Sequence, residues 1–127
     1  MLTITKIFEF AAAHYLPFHE GKCKNLHGHG FKLEITVTGT IKIDGSATGM
    51  IMDFSLLKAI VEDIILKQLD HSNLNDVFEN PTAEFMVKYI ANKLDFAFNN
   101  VVKIIKVRLW ETSTSYVEWT NDENIIV

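Results

Sequence analysis

The chain has 127 residues, 48% of them hydrophobic and 22% charged, the composition of a globular chain with a real core rather than a disordered one. Lys and Arg number 12 against 16 Asp and Glu, a net charge of −4 with histidines neutral, which argues against a nucleic-acid partner. No apolar run reaches membrane-spanning length, no secretory signal is visible, and a single cysteine, Cys23, excludes an intramolecular disulfide. The expectation is one soluble, cytoplasmic domain spanning residues 1–127.

Residues 2–13 alternate loosely, with Leu2, Ile4, Phe8 and Phe10 on one parity, and read as a strand. A loop follows, marked by Pro17, His19, Glu20 and Gly21. Residues 29–43 alternate more cleanly: Phe31, Leu33, Ile35, Val37, Ile41 and Ile43 share one face, Lys32, Glu34, Thr36 and Thr38 the other. Asp44, Gly45, Ser46 and Gly49 form a turn. Asp53 can then cap a helix over residues 54–69, whose apolar stripe runs through Phe54, Leu57, Ile60, Val61, Ile64, Ile65 and Leu69. Asn80–Pro81 reads as a second helix start, with proline at the first helical position and Glu84 in the first turn. That helix runs to about residue 98 and ends at Asn99–Asn100. Residues 101–111 form a third long strand and 116–119 a shorter one. The order is ββααββ, an α+β arrangement in which two helices cover one face of a mainly antiparallel sheet. The helices suffice for one face only, so the other is expected to serve oligomerisation.

Three histidines fall on this framework with a shared direction. His27 and His29 are two apart at the entrance to a strand, on the parity of Phe31 and Leu33. His14 ends the first strand on the parity of Phe8 and Phe10. If the two strands pair through the loop at 15–26, three imidazoles converge at one end of the sheet, with Gly28 and Gly30 leaving room around the pair. Three neutral nitrogen donors suit zinc and leave a coordination position open, as in catalytic sites. Chance spacing of three separately satisfied histidines is the competing reading, and the residues alone do not decide between them. Cys23 lies between Lys22 and Lys24, cations that favour the reactive thiolate. Its spacing from His27 also fits a fourth zinc ligand, which would close the site. Asp70 beside His71 can fix an imidazole tautomer, or the two form a polar pair in solvent at a helix end. Glu111 shares the parity of Ile105, Val107 and Leu109, so it should point inward and need a strong partner, such as the paired N–H groups of a heterocycle, unless the strand has frayed into solvent by that point.

In chain order these pieces resemble the family of 6-pyruvoyltetrahydropterin and 6-carboxytetrahydropterin synthases. The stretches that carry the resemblance are Phe10-Ala-Ala-Ala-His14, Cys23-Lys-Asn-Leu-His27-Gly-His29, Gly49-Met-Ile-Met-Asp53-Phe54, Leu69-Asp70-His71, Asn80-Pro-Thr-Ala-Glu84 and Glu111-Thr112. The resemblance implies the tunnelling fold, whose ββααββ units associate through their sheets into barrels, as trimers stacked into hexamers. It implies zinc (Zn2+) on His14, His27 and His29, Cys23 as general base with Asp70 and His71 in its proton relay, and a pterin held by Glu111 and Thr112. The short Cys-x-x-x-His spacing resembles the bacterial 6-carboxytetrahydropterin synthases of queuosine and 7-deazaguanine biosynthesis.

The implied activity is that of a zinc-dependent carbon–oxygen and carbon–carbon lyase. It would convert 7,8-dihydroneopterin triphosphate to 6-carboxy-5,6,7,8-tetrahydropterin, acetaldehyde and triphosphate. The cysteine thiolate would take a proton from the side-chain carbon next to the pterin ring, and the zinc would stabilise the developing oxyanion. Lys22 and Lys24 are candidates to meet the triphosphate, against the competing reading of solvated loop lysines. The pyruvoyl-forming synthase of the tetrahydrobiopterin pathway and a non-catalytic zinc- or pterin-binding module are the alternatives.

Overall fold

In the computed structural model, residues 1–122 are described; residues 123–127, the tail of the expected domain, lie outside the described residues. Strand β1 (Ile4–His14) pairs antiparallel with β2 (His27–Thr38), which pairs with β4 (Lys103–Thr112), which pairs with β5 (Ser115–Thr120). A two-residue strand that the sequence did not announce, β3 (Ser72–Asn73), adds to the free side of β1 in parallel, against Ala12 and Ala13. The sheet order is β3-β1-β2-β4-β5. The sheet is therefore mainly antiparallel, as expected, with the two-residue β3 its one parallel pairing among the described residues.

The core face of the sheet is the one that alternation selects. Phe8, Phe10 and Ala12 of β1, and Phe31, Leu33, Ile35 and Val37 of β2, are buried against the helices. Strand β2 stops five residues earlier than the alternation suggested. At Gly39 an added Cβ would lie 3.3 Å from both Ile51 and Val102, so the chain turns away at a point only glycine fills comfortably. Ile41 and Ile43 consequently leave the sheet for an excursion pinned by Lys42 N–H to the Met50 carbonyl (3.0 Å), and Ile43 is 90% exposed.

Helix α1 (Phe54–Val61) begins where Asp53 accepts from the Ser55 backbone N–H (2.8 Å) and hydroxyl (2.6 Å). It continues through a π-helical turn (Glu62–Leu66) into a last turn, α2 (Lys67–Leu69), with right-handed helical dihedrals at the junction residues. Leu57, Val61, Ile65 and Leu69 are all fully buried. Four-residue spacing drifts off one face of an ordinary α-helix; the wider π turn keeps Leu69 on the core. Helix α3 (Ala83–Phe98) is capped by Thr82, whose hydroxyl accepts from Phe85 N–H at 3.3 Å, and it ends at Asn99 in the left-handed conformation. The helix start expected at Asn80–Pro81 thus moves two residues on, and Pro81 is left outside the helix. No helix among the described residues is long and apolar enough to cross a membrane.

The opposite face of the sheet carries no helix. Trp110 donates its indole N–H to Glu34 (2.5 Å), Arg108 pairs with Glu118 (2.7 Å) and lies over the Tyr116 ring (4.4 Å), and Lys32 lies over Trp110 (5.4 Å). It is a charge-paired polar surface rather than an apolar half-core. The Glu118 hydrogen bond is also the main reason the Arg108 guanidinium holds its proton even more firmly than usual.

Candidate metal centre

The register of the β1–β2 hairpin sets the site. His14 lies directly opposite His27, and Ala12 opposite His29, so all three imidazoles project from the core face at one end of the sheet. Their ring centroids are 4.7, 4.8 and 5.1 Å apart. Phe31, one step further into the core, packs edge-on against His14 (5.9 Å) and His29 (5.6 Å) and stacks on Phe10 (5.0 Å). The histidines thus grow out of a rigid aromatic floor.

Backbone carbonyls orient two of the rings. His14, fully buried, donates from Nδ1 to the Pro81 carbonyl (2.9 Å), and His27 from Nδ1 to the Asn25 carbonyl (2.7 Å). An Nδ1–H that donates leaves Nε2 as the nitrogen with a free lone pair. The Nε2 atoms of His14, His27 and His29 are all buried and have no hydrogen-bond partner. Ligand atoms of the three residues lie within 4.8 Å of one another. Three converging, unsatisfied nitrogens in a buried setting are costly for a protein that binds nothing there and fit a metal ion. His29 is held below the usual histidine range, first by burial; Glu111 opposes this and the other two histidines add to it. The shift keeps His29 neutral, the form that ligates.

The remaining expected residues fall in three places. Glu111 reaches the centre: its Oε1 is 3.4 Å from His29 Nε2. Between the pairs Trp110–Tyr116 and Thr112–Ser115, Glu111 is the extra residue of a bulge on β4, a common device next to active sites. Thr112 stands beside it at the β4–β5 turn, where its hydroxyl accepts from Thr114 N–H (3.3 Å). Cys23 sits half-buried with a free thiol in a 3-10 turn (Lys22–Lys24) of the connecting loop, and does not join the three-histidine group. Lys22 and Lys24 are exposed.

Asp70 and His71 lie elsewhere in the chain. Asp70 Oδ1 accepts from the Ala11 backbone N–H (3.0 Å) and is 3.0 Å from His71 Nδ1, while His71 N–H donates to the Ala11 carbonyl (2.6 Å). With Glu9, Ala11, Gly30 and Lys32 they line a cavity of about 440 Å³. Those four positions alternate out of phase with the histidines, so the cavity opens on the sheet face opposite to them. The His71 side chain is 84% exposed. Gly28 and Gly30 share that opposite face, so they do not make room around the histidines as expected; a Cβ on Gly30 would meet nothing within 4 Å.

Sequence reasoning missed the carbonyls of Pro81 and Asn25, since every residue has one. It also missed Asn75, whose amide clamps Tyr15 N–H and carbonyl (both 2.9 Å) just after His14.

A mixed sheet with helices on one face defines a tunnelling-fold protein, and the three converging imidazoles at its rim are positioned to hold a metal ion. The pattern of 6-pyruvoyl tetrahydropterin synthases matches residues 3–122, and the chain belongs to that family. It is 46% identical over 118 residues to the 6-carboxy-5,6,7,8-tetrahydropterin synthase of Synechocystis sp., covering 91% of this chain and 90% of the relative. It is 38% identical over 109 residues to the dihydroneopterin monophosphate aldolase of Pyrococcus furiosus, covering 86% and 89%. The 6-pyruvoyl tetrahydropterin synthase of Caenorhabditis elegans superposes with a TM-score of 0.81 at 26% identity, covering 94% of this chain and 95% of that one.

Proposed function

We propose that this protein is a zinc-dependent lyase that converts 7,8-dihydroneopterin triphosphate and one water to 6-carboxy-5,6,7,8-tetrahydropterin, acetaldehyde and triphosphate, in the cytoplasm. The observation that carries the reading is the group of three partnerless Nε2 atoms with a carboxylate beside it. The Synechocystis relative supports the choice of product.

His14, His27 and His29 would hold the zinc, which when bound supplies Lewis-acid stabilisation of negative charge developing on the substrate. Glu111 would accept two parallel hydrogen bonds from the amino-pyrimidine edge of the pterin, with Thr112 beside it, and so fix the ring. Cys23, as thiolate, would remove the proton from the side-chain carbon next to the ring. His71, oriented by Asp70 at 3.0 Å, would pass that proton on.

The relay is proposed to be completed between copies of the chain. His71 projects into solvent from the sheet face opposite the histidines, and the sheet has free edges where copies can join. Strand β3 covers the outer side of β1 only at Ala12 and Ala13, so among the described residues Thr5, Ile7 and Glu9 have β2 on one side and no strand on the other, and β5 is an outer strand along its whole length. Unpaired edges are templates for strand addition, and joining unlike edges closes a ring. A trimer, or a hexamer of two trimers, is the proposed assembly.

The test is to load the purified protein with zinc, add dihydroneopterin triphosphate and identify what forms. Acetaldehyde with a carboxypterin is the expected outcome. A pyruvoylpterin would move the protein to the tetrahydrobiopterin reaction, and metal-loaded protein that leaves the substrate intact would make it a binding module. A different aldehyde would point to the aldolase activity named for the Pyrococcus relative.

A further inference from the structure

Glu111 is half-buried and has an unusual neighbour. Among the described residues no lysine or arginine pairs with it; its one ionic contact is His29 Nε2, at 3.4 Å. Yet that nitrogen has no hydrogen-bond partner, so the two atoms stand side by side rather than as donor and acceptor. Two atoms bound to the same tetrahedral zinc through bonds of about 2.1 Å are about 3.4 Å apart. A half-buried carboxylate is favoured by a positive charge beside it, and the three imidazoles, as neutral ligands, supply none. A divalent ion held by them would. The carboxylate oxygen is not within the tight group formed by the three histidines, so it stands at the rim. Its flexible side chain, on a bulge residue that β5 does not pair, can cover the remaining distance without moving the strand.

We infer that Glu111 is a shared carboxylate, closing the coordination sphere as a displaceable fourth ligand when no pterin is bound and turning to the pterin edge when substrate arrives. This rests on the three-histidine metal reading and adds to Glu111 a role that anchoring alone does not include. A resting site closed by Glu111 would keep competing anions and water from the metal, and opening would be coupled to correct docking of the ring.

The test substitutes Co2+ for zinc and reads its visible absorption, with no turnover required. In the wild-type protein, saturation with unsubstituted pterin, which has no side-chain hydroxyls, should change the Co2+ bands because the carboxylate leaves. Glu111→Gln, which keeps size and shape at a partly exposed position, should bind Co2+ at least about tenfold more weakly and show altered bands without any pterin. Equal Co2+ affinity in both proteins, with superimposable bands that pterin does not move, would overturn the proposal and leave the metal centre standing. A wild-type protein that takes up no Co2+ would overturn both, and is told apart by that first titration.

Discussion

The metal reading makes a strong demand on His27. In the absence of metal this residue contributes little: its ring is half-buried, and its one hydrogen bond, Nδ1–H to the Asn25 carbonyl at 2.7 Å, is worth about 1 kcal/mol. With metal present it is one of three donors. A ligand that binds only the folded state at a thousand times its dissociation constant stabilises it by about 4 kcal/mol. For 127 residues the unfolding entropy near 60 °C is about 0.27 kcal/mol/K, so zinc should raise Tm by about 15 °C. The His27→Ala protein should unfold about 4 °C lower than wild type in chelator and gain clearly less from zinc than wild type, since one of the three converging imidazole donors is gone. The assay is thermal unfolding of both proteins in chelator and in a fixed excess of zinc. A wild type whose Tm ignores zinc, or a variant that keeps the full zinc-dependent rise, would refute the reasoning.

Cys23→Ala should abolish turnover while zinc stoichiometry stays at the wild-type value; metal lost along with activity would make Cys23 a ligand. Thr82→Ala removes the cap of α3 and should lower stability in urea by about 1 kcal/mol; an unchanged midpoint would mean that the 3.3 Å hydrogen bond to Phe85 N–H contributes nothing. His29 gives a pH prediction for the metal-free protein. Its folded pKa is held below the ordinary histidine value of about 6.5, so the unfolded chain takes up the proton first, and stability present above pH 6.5 is lost as pH falls below it. His29→Asn should flatten that part of the profile, whereas an identical acid slope in both proteins would show that His29 is not its source.

What the sequence disclosed and what it hid divide along a physical line. Alternation in β1 and β2 placed Phe8, Phe10, Phe31 and Leu33 inward, and the three histidines inherited their direction from the same parity. Signals of this kind are local, and the structure keeps them. The failures lie where a tertiary contact overrides local pattern. Ile41 and Ile43 continue the alternation perfectly well, but the close approach of Ile51 and Val102 to Gly39 ends the strand before them. On β4 the register shifts against β2, with Val37 opposite Ile104 and Thr36 opposite Lys106, so Ile104 is buried and Ile105 only partly so. Parity counted from Ile105 therefore misplaces the start of that strand, although Val107, Leu109 and Glu111 fall on the expected face. Asn80–Pro81 matches a helix start locally, yet the cap is Thr82 and the Pro81 carbonyl serves His14. A backbone carbonyl has no residue type, so its role could not be read from the chain.

The rim of the hairpin also links the candidate metal centre to the loop that carries Cys23. His14 and His27 are opposite one another in the last pair of the β1–β2 register, so whatever binds both also fixes the two ends of the loop that carries Cys23. That loop is already drawn in by Leu16 N–H to the Cys23 carbonyl (2.7 Å) and, on its first side, by the clamp of Asn75 on Tyr15. A ligand joining the loop ends removes conformational freedom from everything between them, so metal occupancy and cysteine position are mechanically linked. On the core side the same ligands rest on Phe31, whose stacking on Phe10 ties them to the centre of the sheet. The site therefore takes rigidity from the fold on one side and gives it to the loop on the other. This predicts an order for amide exchange of loop residues 16–26: fastest without metal, slower with it, and no slower than the metal-free protein once His14 is replaced by alanine. Equal exchange with and without metal in the wild-type chain would break the link between the centre and the loop.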